Sequence, residues 1–238
     1  MDSLYYLKKS SSTNEEIVNF LQENTLPFLG VYTFNQTRGK GQYGNSWEAP
    51  ENLNISYSLA VKKEDSQRSH QLFNFRTALI LRDFIAKLTK TDVAVKWPND
   101  LIIKDKKVSG ILIEAKKVKE ENYLIVGIGI NVLQKSFPDF PRAGSLFSQT
   151  GRRFDLEETS QKLHEYFVER LKETVPDDQI LEEFNTHLFR KGKISVFEIK
   201  EVRQNGINRF ADEEGFLHVE LENDGLKKFF HKEIELLY

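Results

Sequence analysis

Five short segments carry side chains suited to binding an anionic or nucleotide-like ligand. The first is Ser12-Thr13-Asn14, three small polar residues where a helix is expected to start, with free backbone amides beside them. The second runs from Gln36 to Trp47 (QTRGKGQYGNSW). Its three glycines allow close backbone approach and positive φ. Its cations, Arg38 and Lys40, suit phosphate, and Trp47 offers a flat stacking surface. The third, Lys96-Trp97-Pro98-Asn99-Asp100, sets a rigid Pro-Asn turn after a β run, able to aim Lys96 and Asp100 at one point. The fourth, Lys107 to Glu114 (KVSGILIE), puts a lysine at the head of an apolar strand, with Gly110 marking a bulge or a close ligand contact. The fifth, Gly127-Ile128-Gly129-Ile130-Asn131, places two glycines inside a buried strand and leaves Asn131 in need of a hydrogen-bond partner.

Taken singly, each segment has an ordinary explanation. Helix capping accounts for the first, a surface hairpin loop for the second, and a strand-ending turn with an exposed salt bridge for the third. An edge lysine and a packing bulge account for the others. The Gly-rich loop lacks the closing Gly-Lys-Ser/Thr of a P-loop and does not open a helix as a dinucleotide fingerprint would. The chain has no cysteine, so thiolate ligands, disulfides and cysteine nucleophiles are excluded together.

The elements that must position these residues are legible from periodicity. A first helix is expected from Ser12 or Thr13 to about Asn24, each start having a Glu three residues later. Strands follow at 29–35 and 53–62, and a long helix from about Gln67 to Leu88. Three apolar, β-branched runs, Val93–Lys96, Lys107–Ala115 and Tyr123–Val132, read as an antiparallel meander divided by the turns KDK and KVKEEN. Helices are expected from about Asp155 and over Asp177 to Leu188. From Lys193 onward, short strands broken by QNG, DEEG and ENDG read as hairpins of a small all-β unit. The expected organisation is an α+β domain over residues 1–190 and a small β-barrel over 191–238.

Composition narrows the function. Thirty-four basic residues against thirty-six acidic ones leave a net charge of −2, which gives no general reason to expect nucleic-acid binding. No window approaches the roughly 20 apolar residues needed to span a bilayer, and the N-terminus has no secretory apolar region. The expectation is a cytoplasmic protein with no membrane partner.

In this order, the five segments resemble the catalytic domain of biotin protein ligases, and the tail from FRKGKISVF resembles the small SH3-like domain that ends those enzymes. The resemblance covers nearly the whole chain. It implies a class II aminoacyl-tRNA synthetase-like catalytic domain with a mixed, mainly antiparallel sheet, followed by an SH3-like β-barrel. It implies biotin and ATP as substrates, with Mg²⁺, and a biotin-carrier domain of a carboxylase as acceptor. Biotin would be held by Ser12, Thr13, Asn14, Gln36, Lys40, Gly41, Gln42, Lys107 and Gly110. The nucleotide would meet Trp47, Asn99, Gly129 and Asn131, and Asp100 would partner Mg²⁺. Lys107, Lys96 and Lys40 would act catalytically, neutralising the charge that builds at the α-phosphoryl group.

The loop departs from the family's GRGRxGRxW pattern. Lys40 stands for an arginine, giving a point charge instead of a fork, and Gln42 followed by Tyr43 stands where a second arginine is common. The catalytic pattern begins within about a dozen residues of Met1, which leaves no room for the N-terminal helix-turn-helix of some members. An enzyme without a DNA-binding role is therefore expected, and the family leaves room for a homodimer. The competing readings are a lipoate or octanoate transferase, whose Gly-Gly-Gly segment and following His are absent, and a biotin-binding module without catalysis.

Overall fold

The computed structural model describes residues 3–23, 26–63 and 68–238. Fourteen strands and five α-helices lie in these residues. The strands of the larger sheet are β1 (Ser3–Tyr6), β2 (Phe28–Thr33), β5 (Asn54–Lys62), β6 (Ala94–Lys96), β7 (Asp100–Ile103), β8 (Lys106–Val118) and β9 (Glu121–Asn131). They lie in the order β1-β2-β5-β9-β8-β7-β6, with β1 parallel to β2 and the other neighbours antiparallel. The helices are α1 (Thr13–Glu23), α2 (His70–Thr89), α3 (Leu146–Thr150), α4 (Leu156–Lys172) and α5 (Asp177–Thr186).

Strand alternation divides the sheet into two faces, and this division makes the site. On β9, Leu124, Val126, Ile128 and Ile130 join one core with Ile55, Tyr57, Leu59 and Val61 of β5 and with Ile111 and Ile113 of β8. Helix α2 is buried along most of its length in that core. Phe75 of α2 stacks on Phe184 of α5 at 3.9 Å. The opposite face is split. Tyr123 and Ile125 of β9 and Ala60 of β5 pack with Ile17 and Leu21 of α1 in a second core. Beyond α1 that face turns small and polar. Ser56 and Ser58 of β5 lie opposite Gly129 and Gly127 of β9, which lie opposite Gly110 and Leu112 of β8. The missing side chains leave a depression in an otherwise packed sheet.

The hairpin turn between β7 and β8 holds Lys104 and Asp105 at φ 47° and 63°, the left-handed pair that matches strand twist. Within β7–β8 the register shifts so that Leu101 faces Ser109 while Ile102 faces Lys107. The bulge thus falls at Val108, two residues before Gly110, whose own role is to admit close neighbours.

The chain closes in a five-stranded antiparallel sheet of β10 (Ile194–Ile199), β11 (Val202–Ala211), β12 (Leu217–Leu221), β13 (Gly225–Phe229) and β14 (Glu235–Leu237), ordered β13-β12-β11-β10-β14. Phe197, Leu217, Val219 and Leu221 share the main core cluster, so this unit packs directly on the larger sheet and its helices. The Trp97 indole N–H donates to the Gly215 carbonyl at 3.1 Å, and the Asn185 amide donates to the Ala211 carbonyl at 2.8 Å.

Several sequence expectations are corrected. The QNG run is the middle of β11, because Gly206 packs against Phe197 and Leu221 where a Cβ would not fit comfortably. The turn lies at Lys200–Glu201, both left-handed. Strand β7, for which the sequence suggested no element, is a real strand that includes Asp100, and the KDK run turns the chain from it into β8 as expected. Helix α5 ends at Thr186, two residues short of the expected Leu188. The expected first residue of α2, Gln67, and the expected last of α1, Asn24, lie outside the described residues. Asp155 caps α4 as expected, its carboxylate accepting from the Glu158 amide at 2.8 Å. No helix among the described residues is long and apolar enough to cross a membrane.

Candidate active site

The small-residue depression is the floor of a cavity of about 130 Å³. Its walls come from Ser12, Thr13 and Asn14 at the start of α1, from Gln36, and from the Gly-rich loop. The loop is a two-stranded hairpin, β3 (Gly39–Lys40) and β4 (Ser46–Trp47), joined by a 3-10 turn at Gln42–Gly44. Positive φ falls at Tyr43 (55°) and Gly44 (83°), whereas Gly41 is extended at −105°. Gly39 serves close approach instead: a Cβ there would lie 2.4 Å from the Trp47 carbonyl oxygen.

The three residues at the α1 start are not spent on capping. Ser58 Oγ lies 2.7 Å from Thr13 Oγ1 and 2.6 Å from Asn14 Oδ1. A hydroxyl has one proton, and Asn14 Oδ1 can only accept, so the Ser58 proton goes to Asn14. The Asn14 NH₂ in turn donates to Glu114 at 2.8 Å. The Thr13 amide donates to Gln36 Oε1 at 2.9 Å, which leaves the Gln36 NH₂ as the end available to a ligand. Gly127 is required beneath this network, because a Cβ would come within 2.4 Å of Asn14 Oδ1.

Trp47 lies across the depression. A Cβ on Gly129 would sit 2.2 Å from Trp47 Cε2, and one on Gly110 would sit 3.4 Å from Cζ3. Lys107 Nζ is 5.8 Å from the indole centre and 2.6 Å from Asp100 Oδ1. Asp100 therefore pairs with Lys107, although its partner across the strands is Lys96. Lys96 is partly buried, 5.8 Å from the Tyr238 ring; burial lowers its pKa, against the opposing pull of Asp100. Beyond Trp47 lies a second cavity of about 500 Å³, bounded by Lys96, Asn131, Phe140, Arg142 and Tyr238. Ser46, Trp47, Asp100 and Lys107 line both cavities. Burial, then Asp100, pushes the Tyr238 phenol up to about 12.

Among the described residues, four polar atoms around the first cavity are buried with no hydrogen-bond partner: Gln42 Oε1, Trp47 Nε1, Ser56 Oγ and His231 Nδ1. Both donors and acceptors are among them, as a neutral polar ligand requires. Lys40 stands at the rim, exposed, 2.5 Å from Glu15 Oε1. The Asn99 amide donates to the Ile111 carbonyl at 2.5 Å, and the residue lines the first cavity and not the second. The Asn131 amide donates to the Gly144 carbonyl at 3.0 Å. Of the sequence-derived residues, Ser12, Thr13, Asn14, Gln36, Lys40, Gly41, Gln42, Trp47, Asn99, Asp100, Lys107, Gly110 and Gly129 converge on the first cavity, and Lys96 and Asn131 on the second.

Sequence reasoning passed over Ser56, Ser58, Arg142, His231 and Tyr238. The two serines had a signal, a polar period of two in an otherwise apolar strand. The others are brought in by long-range packing that no local pattern announces. Among the described residues, no group of three or more His, Asp or Glu side chains could hold a metal by itself.

Comparison with known proteins identifies the architecture. A solved structure of the biotin protein ligase from Aquifex aeolicus in complex with biotin and ATP superposes with a TM-score of 0.80 at 26% identity, covering 100% of this chain and 99% of that one. The bifunctional ligase/repressor BirA of Bacillus spizizenii is 28% identical over 98% of this chain and 74% of its own length. The biotin–[acetyl-CoA-carboxylase] ligase of Mycobacterium tuberculosis is 30% identical over 47% of this chain and 42% of its own. The fold is that of the biotin ligase catalytic domain, an α+β arrangement on a mixed sheet. The sequence model of the Biotin/lipoate A/B protein ligase family matches residues 6–131, just over half of the chain, and the chain belongs to that family.

Proposed function

We propose that this protein is a biotin protein ligase, which converts biotin and MgATP to biotinyl-5'-AMP and pyrophosphate and then transfers the biotinyl group to a lysine of a biotin-carrier domain, that of a carboxylase. One observation carries the reading: two cavities, one small and polar and one larger, share a wall at Trp47, Asp100 and Lys107. A carboxylate held in the first and an α-phosphorus held in the second would meet beside the Lys107 ammonium.

In this reading, Ser12, Thr13, Asn14 and Gln36 bind the ureido ring, with Gly41, Gln42 and Gly110 close to the ligand. Lys107 takes the carboxylate, and Lys40 reaches the acyl-phosphate once it exchanges Glu15 for the ligand. Lys96 takes phosphate oxygens from the second cavity. Trp47 covers the nucleotide side, with Gly129 giving it room, Asn131 nearby, and Asn99 bracing the turn beneath. Two anions repel, so the three ammonium groups lower the barrier chiefly by neutralising charge that grows at the α-phosphoryl oxygens. Mg²⁺ arriving with ATP would add to that neutralisation, and Asp100 is the carboxylate that would hold it, consistent with the one or two carboxylates such ions use. No protein nucleophile is needed. The acceptor amine, with an ordinary pKa of about 10.4, must lose a proton before it attacks the mixed anhydride.

We further infer a domain division at 190/191, an SH3-like barrel for the C-terminal unit, a class II aminoacyl-tRNA synthetase-like plan for the larger unit, and a cytoplasmic location. The test of function is pyrophosphate release from MgATP with biotin and with lipoate in parallel. Release with biotin alone supports the proposal; release with lipoate alone moves the activity to the lipoate branch of the family.

A further inference from the structure

The Gly-rich loop is held at its tip by residues far away in the chain. Tyr43, at the crest of the 3-10 turn, stacks on His231 with ring centres 4.5 Å apart and planes 13° from parallel. Lys232 Nζ donates to the Tyr43 carbonyl at 3.0 Å and lies 5.2 Å from the centre of the same ring. Both partners sit between β13 and β14, in the C-terminal unit. That unit is itself fixed to the catalytic one by the Trp97–Gly215 hydrogen bond and by Arg142–Glu235 at 2.8 Å. His231 also lines the first cavity and approaches Trp97, ring centres 5.8 Å apart.

The loop's base is fastened by the Thr37 and Arg38 amides, which donate to the Ser10 and Ser11 carbonyls at 3.0 and 2.9 Å; the bonds nearer the tip, Gly41 to Asn45 at 2.7 Å and Asn45 to Gln42 at 3.2 Å, shape the turn without tying it to another segment. The Lys40–Glu15 pair fastens its base, yet an exposed ion pair contributes little. At the tip, the Tyr43–His231 stack, assisted by the exposed Lys232 hydrogen bond, is the tie to the rest of the molecule. Burial, with the Lys96, Lys232 and Lys107 ammonium groups outweighing Asp100, lowers the His231 pKa, so the ring stacks as neutral imidazole near pH 7.

We propose that His231 and Lys232 are positioning residues: by clasping Tyr43 they hold the Gly-rich loop closed over the activated biotin, so that biotinyl-AMP stays bound until the acceptor lysine takes the acyl group. The inference rests on the biotin-activating reading above, and it gives the C-terminal unit a defined task in the reaction.

The test is made on the full chain. Biotinyl-AMP is formed from biotin and MgATP, excess substrate is removed, and escape of the adenylate is followed by trapping with hydroxylamine, which yields biotin hydroxamate and AMP. His231→Ala and Tyr43→Ala should each speed escape about tenfold, the order expected from losing one stack, and the double variant should be no faster than the worse single one. His231→Phe keeps a flat ring and should restore retention to within about threefold of wild type. Additive effects of the two alanine variants, wild-type retention in both, or failure of the Phe variant to rescue would each overturn the clasp. If His231→Ala does not fold, Tyr43→Ala on the exposed loop still decides, because wild-type retention there sinks the proposal. A wild-type protein that forms no biotin-dependent adenylate would instead refute the parent reading.

Discussion

Replacing Lys107 by alanine removes an ammonium group that lies on the wall common to both cavities and pairs with Asp100 at 2.6 Å. Two unit charges about 4 Å apart at an effective dielectric constant of about 20 interact by about 4 kcal/mol. The Lys107 side chain is 33% exposed and shares its charge with Asp100, so the full figure is not realised. A floor comes from losing one preorganised donor to a developing oxyanion, about 2.7 kcal/mol, or roughly a hundredfold in rate. The expected loss in adenylate formation is therefore about 10²- to 10³-fold. It should appear in rapid-quench pyrophosphate release at saturating biotin and MgATP, where weakened binding is compensated. Lys107→Arg, which keeps the charge on a longer and wider group, should fall between. A circular-dichroism melt of each variant separates folding from chemistry. A loss under tenfold in folded Lys107→Ala would refute the assignment of this lysine to the reacting centre.

Three other perturbations are informative. Burial lowers the Lys96 pKa below that of a free lysine, so the group loses its charge earlier as pH rises; pyrophosphate release should decline on the alkaline side, and Lys96→Arg should move that limb to higher pH. An unchanged alkaline limb in the arginine variant would remove Lys96 from the phosphate site. Gly129→Ala places a methyl 2.2 Å from the Trp47 ring and must displace it; the KM for ATP should rise about tenfold or more with little change in melting temperature, because the ring sits on a loop. Ser58→Ala leaves Asn14 Oδ1 without its donor in a buried network, which should weaken biotin binding by about 1–3 kcal/mol in calorimetry. Unaltered affinity would show that Asn14 needs no fixing.

The sheet and its two-faced strands were legible because alternation and glycine placement are local. The run GIGIN already implied a crowded floor, and the pairing of Gly129 with Gly110 explains it. The first strand, Ser3–Tyr6, was missed because four half-exposed residues at a sheet edge carry little periodic signal. QNG was misread as a turn because Asn-Gly is a strong hairpin cue, yet at Gly206 packing against Phe197 decides the backbone. The KWPND turn reads as aiming Lys96 and Asp100 at one point, but Asp100 pairs with Lys107, beside a bulge at Val108 that no local pattern announces. His231 could not have been found by spacing; the C-terminal sheet delivers it to a loop 188 positions away.

The central claim is tested most directly by intact-mass analysis of a biotin-carrier domain incubated with this protein, MgATP and biotin. The account predicts that the carrier gains one biotinyl group at its acceptor lysine, that a carrier with Lys→Arg at that position gains none, and that lipoate does not substitute. A carrier left unmodified while biotinyl-AMP accumulates, or one that gains a lipoyl group instead, would contradict it.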